Sequence, residues 1–154
     1  MVVRGVDVSE GPSRLFIVAY MYAVNKAAYK VLGKGGIVLS RATSDELIDY
    51  LARRGVLSEE PSVDEVKRLF VEKLNVAEDM YICEKEDTVI VELRDMKIAE
   101  FLELVKREKF EPVACPLIEV IIRVCERSVE GKLVVKKIDM PDPTKVSIVC
   151  KKIV

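Results

Sequence analysis

Tyr81-Ile82-Cys83-Glu84-Lys85-Glu86-Asp87-Thr88-Val89-Ile90-Val91-Glu92-Leu93 is the stretch in which the chain changes period. Before it, apolar residues recur at helical intervals. Here two β-prone runs, Tyr81–Glu84 and Thr88–Leu93, flank the polar turn Lys85-Glu86-Asp87, the pattern of a β-hairpin. A second strand pair, Lys132–Ile138 and Lys145–Val154, follows Gly131 and is joined through Met140-Pro141-Asp142-Pro143-Thr144. Strand pairs joined by short turns between helical blocks predict an α+β fold, a four-stranded antiparallel sheet with helices packed on one face.

Outward from the hairpin, the helical blocks are marked by their caps. Ser13–Leu32 reads as one long helix stopped by Gly33, and its first half, Leu15–Val24, is apolar on nearly every face. Such a helix is either central to a core or shared with a partner. In a domain of this size the second reading is favoured, and it predicts a homodimer through Leu15–Val24. Gly35-Gly36 reads as a turn and Ile37-Val38-Leu39 as an apolar link. Capping boxes at Thr43–Glu46 and Ser62–Glu65 then predict helices over Ser44–Arg54 and Val63–Leu74. After the hairpin, Met96–Arg107 and Pro116–Ser128 return to helical spacing, the latter with Leu117, Ile118, Ile121, Ile122 and Cys125 on its apolar stripe.

Length and composition set bounds. The 154 residues form one domain with no linker, repeat or low-complexity stretch, and half of them are hydrophobic. The formal net charge of −1 gives no global attraction to nucleic acid or to an anionic membrane. The segment from Gly131 onward carries six Lys against two Asp, but without aromatic platforms it is no nucleic-acid surface. There is no His, which removes histidine triads and imidazole-ligated metal together. Gln is absent too, Asn occurs only at Asn25 and Asn75, and Lys and Glu are abundant, the composition of a hyperthermophile protein. Leu15–Val24 is too short to span a bilayer, and no clean export signal is present, so a cytoplasmic protein without stable membrane insertion is expected.

The order and spacing resemble the 4-vinyl reductase domain of bacteria and archaea, a relative of the small subunits of the eukaryotic TRAPP vesicle-tethering complex. The resemblance runs from the long first helix ending at Gly33 through the paired short helices and the hairpin. Its most specific part is Cys115-Pro116 opening a helix, then Gly131, the strand Leu133–Ile138, a turn, and a last strand containing Cys150. It implies an α+β fold that dimerises through helices, and an apolar pocket or channel for a small hydrophobic ligand, acyl chain or hydrocarbon. The pocket wall would include Cys115, Pro116, Glu119, Val120 and Val124. Val120 and Val124 stand where the family carries small residues, which implies a reduced pocket. Thr43 and Leu47 fall near the family's glycines, and Lys137 and Met140 replace its acidic residue and cysteine.

Cys115 precedes a helix N-terminus, where backbone N–H groups stabilise a thiolate; the alternative is a thiol buried at the helix start. Cys125 lies ten residues on, about 15 Å away along the helix, so the two cannot share a metal within one subunit. Cys83 and Cys150 fall on strands and could meet across the sheet. Glu119 either faces the pocket, where it could hold a polar headgroup, or faces solvent. Gly33-Lys34-Gly35-Gly36 lacks the Lys-Ser/Thr of a phosphate loop and reads as a helix stop and turn. No metal, cofactor or catalytic residue is expected. Three functions stand: a non-enzymatic hydrophobic-ligand binder, an adaptor whose first helix docks a partner beside a vestigial pocket, and an enzyme acting through Cys115, for which no base is visible.

Overall fold

The computed structural model describes residues 11–112, 117–129 and 131–153. β1 (Ala77–Lys85), β2 (Thr88–Met96), β3 (Lys132–Asp142) and β4 (Lys145–Ile153) form one antiparallel sheet in the spatial order β1-β2-β4-β3. The fold is therefore α+β with a four-stranded antiparallel sheet, as the two hairpins predict. The strands of the first pair run from Ala77↔Met96 to Lys85↔Thr88, so the turn is only Glu86-Asp87, with Glu86 at φ +56°. Met96, expected to begin a helix, instead ends β2, because its amide is taken by the Thr144 carbonyl at 2.9 Å.

Period-two alternation decides which face is covered. Val89, Val91 and Leu93 of β2 and Val146, Ile148 and Cys150 of β4 are at most 7% exposed, whereas Ile90 between them is 39% exposed. The helices lie on that inner face and the other face is open. Cross-strand register also separates two thiols: Cys83 sits opposite Ile90 on the outer face, while Cys150 sits opposite Val89 on the inner one. The expectation that they could meet across the sheet is corrected by this register. Gly131, just before β3, has φ +127°, and a Cβ there would lie 2.8 Å from the Ile153 carbonyl oxygen, so the end of β4 requires glycine.

α2 spans Gly36–Arg53, beginning eight residues before the expected helix start at Ser44. Thr43 and Glu46 are interior to it, not a capping box. The reason is a stripe that continues through the supposed link: Ile37, Ser40, Arg41, Ser44, Ile48 and Leu51 fall at helical spacing on one side. The second box does cap a helix. Ser62 Oγ accepts from the Glu65 amide at 3.1 Å and opens α3 (Val63–Arg68). The Glu65 carboxylate turns to Ser58 rather than back to Ser62. α3 then widens into a π turn over Leu69–Lys73, where the Leu74 amide donates to the Leu69 carbonyl at 2.8 Å and both Leu69 and Phe70 are fully buried.

α4 (Ala99–Glu108) and α5 (Leu117–Ser128) complete the inner layer. The Glu126 carboxylate accepts the Leu133 amide at 2.9 Å and so ties α5 to the start of β3. α1 (Arg14–Leu32), capped by Ser13 and stopped at Gly33, lies outboard on α4 and α2. Only Val18 and Asn25 of α1 are buried. Tyr22 donates to Glu108 at 2.8 Å, Lys26 pairs with the same carboxylate, and the Phe110 ring lies 6.0 Å from Tyr22 and 6.4 Å from Tyr29.

Candidate functional site

Between α4, α5 and β3 the inner layer leaves the sheet partly uncovered. Along β3 the core-facing residues Val135 and Ile138 remain 38% and 48% exposed, although α5 meets the strand near its start. A register shift between Val135 and Lys137 keeps Val135 and Ile138, three residues apart, on the same face. The result is a cavity of about 840 Å³. Its floor is Leu93, Met96, Leu133 and Val146; one wall is Phe101, Leu102 and Val105 of α4, the other Leu117, Ile118, Ile121 and Ile122 of α5. Ile37, Ser40 and Arg41, from the first turns of α2, close one end. Volume and lining match small-molecule sites, which are commonly about 300–1,000 Å³ and predominantly apolar with few polar groups.

The polar groups of the lining are few. Ser40 Oγ donates to Glu119 Oε2 at 3.3 Å, bridging α2 and α5. Arg41 and Glu111 stand exposed at the rim. Glu119 is among the lining residues and is half-buried.

The other expected wall residues fall elsewhere. Val120 and Val124 are 1% and 0% exposed in the closed core and are not among the lining residues. On α5 they occupy the side adjacent to the pocket-facing residues, so they do not reduce the cavity as the resemblance implies. Cys115 and Pro116 lie outside the described residues. Sequence reasoning missed the α4 wall and the α2 end. The first was legible in the spacing of Ile98, Phe101, Leu102 and Val105; the second was hidden by reading Gly35–Leu39 as turn and link.

None of the described thiols lines this cavity. Cys83 is exposed on the outer face, whereas burial pushes the Cys125 thiol up to about 12, with Cys150 and Glu126 adding to the shift. Cys150 is raised by burial and then by Glu126. A smaller cleft of about 280 Å³, between α2 and α5, is lined by Asp45, Ile48, Asp49, Arg123, Glu126 and Arg127. Three of its charges are engaged, Arg123 with Asp45 and Glu126 with the β3 backbone, and the cleft reads as a solvated polar seam. Among the described residues no group of three or more Cys, Asp or Glu side chains is placed to hold a metal ion.

No helix among the described residues is long and apolar enough to cross a membrane. In comparisons with known proteins, the uncharacterized protein MJ0758 of Methanocaldococcus jannaschii is 32% identical over 151 residues, which cover 97% of this chain and 95% of the relative. No family model and no solved structure matches the chain.

Proposed function

We propose that this chain, which belongs to the same family as MJ0758 of Methanocaldococcus jannaschii, is a non-enzymatic binding protein for a small hydrophobic ligand, an acyl chain or hydrocarbon. The observation that carries the reading is the apolar cavity of about 840 Å³ between α4, α5 and β3. Apolar burial there is worth roughly 25 cal/mol per Å², and among the described lining residues the polar groups are few. The kinship to 4-vinyl reductase domains and TRAPP small subunits belongs to the same proposal, as does a cytoplasmic homodimer formed through Leu15–Val24. Support for the dimer comes from α1, where Leu15, Phe16 and Tyr20 are 73%, 59% and 62% exposed.

The same exposed helix favours a second reading, an adaptor that docks another protein through α1. Native mass spectrometry of the purified chain separates the two. The ligand-binding reading expects a dimer that carries a small hydrophobic molecule or takes up added dodecanol. A chain that refuses dodecanol and travels with a second protein establishes the adaptor instead.

A further inference from the structure

Resting on the ligand-binding reading of the same cavity, we propose that its ligand is a long-chain carboxylate whose head group is held by Arg41. Among the described residues, Arg41 is the only cationic one in the lining, and it makes no hydrogen bond or ion pair with any of them. Its obvious partner is close at hand: Glu119 lies in the same lining and takes the hydroxyl of Ser40, the residue next to Arg41. That carboxylate is engaged by Ser40, not by the guanidinium, so among the described residues nothing neutralises the cation at the α2 end and it is open to an added anion.

The arrangement has the polarity of an amphiphile. At one end stand Ser40, Arg41 and Glu119; beyond them the cavity is walled by Phe101, Ile121 and Ile122 and floored by Leu133 and Val146. A guanidinium presents a planar fork that matches a carboxylate bidentately, and charge-assisted pairs of this kind are about twice as strong as neutral hydrogen bonds. A chain entering carboxylate-outward would bury its hydrocarbon against α4, α5 and β3 and keep its head at the rim, where desolvation is small. Glu111 and Glu119 put two negative charges on the same lining, so the opposing chemistry, an alkylamine, is the direct competitor and belongs in the test.

Isothermal titration with dodecanoate, dodecanol and dodecylamine, below their aggregation thresholds, decides it. Dodecanoate is expected to bind about tenfold more tightly than dodecanol, the effect of one charge-assisted pair at a partly exposed site. Arg41→Met is expected to erase that difference, and continued binding of dodecanol reports that the variant's pocket is folded. Equal binding of dodecanoate and dodecanol by the native chain, or tightest binding of dodecylamine, overturns the assignment of the head group and leaves the pocket standing. Failure of all three to bind overturns the pocket itself.

Discussion

Two residues on adjoining helices show how burial without pocket contact is read as stability. Ser44 is fully buried on α2, and its hydroxyl has no hydrogen-bond partner among the described residues. An unsatisfied buried hydroxyl costs about 1–3 kcal/mol. Ser44→Ala is therefore expected to raise stability by about 1 kcal/mol, seen as a higher urea midpoint with an unchanged slope; a lower midpoint would show that the hydroxyl is satisfied. Val120 is the converse. It stands in the closed core, so Val120→Ala should cost about 2 kcal/mol through the void it leaves. Because the residue is off the cavity wall, dodecanol affinity should not move. A tighter dodecanol complex would return Val120 to the pocket, where the family resemblance places it.

At the scale of elements, the joint between α1 and α4 is electrostatic and titratable. Hydrogen bonds from Lys26 and Tyr22 hold the Glu108 carboxyl below its ordinary value of 4.5, and the same contact with Glu108 holds Lys26 above 10.5. A depressed carboxylate contributes stability above its ordinary value and loses it as the pH falls through the folded value; a raised lysine contributes below its ordinary value and loses it as the pH rises through the folded one. The joint is thus complete between pH 4.5 and 10.5 and weakens on either side. Hydrogen exchange in α1, corrected for its intrinsic pH dependence, should accelerate on acidification below that window. In Glu108→Gln it should be fast already at neutral pH, while protection in β2 and β4 stays unchanged; equal protection of α1 in both proteins would remove the joint's role. This joint was not legible in the sequence, because Tyr22 and Glu108 are 86 residues apart and only tertiary packing brings them together. The hairpins were legible, since alternation and a short polar turn are local signals. α2 was misread because Thr43–Glu46 matches a capping box locally, while the Ile37-to-Leu51 stripe that overrides it is visible only over a longer window. The pocket was legible only in part: the α5 stripe marks one wall, but the register shift in β3 and the placing of α4 and the first turns of α2 around the cavity are properties of the assembled layers.

For the whole molecule, the unresolved energy lies on the outer surface of α1. From Leu15 to Asn25 there is no charged residue, and the Phe16 and Tyr20 rings stack on each other 6.1 Å apart, both facing outward. Contacts along α4 and α2 leave this strip bare, and Val31 farther along the helix is 82% exposed. Contiguous exposed apolar surface marks an interaction site, and a second copy of the strip is a partner of matching chemistry, since twofold symmetry places each patch against its own image. Such a dimer stabilises the fold by mass action, so melting temperature should rise with protein concentration. Phe16→Glu combined with Tyr20→Glu puts two like charges on each side of the contact, and light scattering should then report a monomer that melts lower and independently of concentration. The chain carrying the native strip should scatter as a dimer at micromolar concentration; a monomer there, with a melting temperature indifferent to dilution, would leave the strip to a different protein and move the molecule to the adaptor reading.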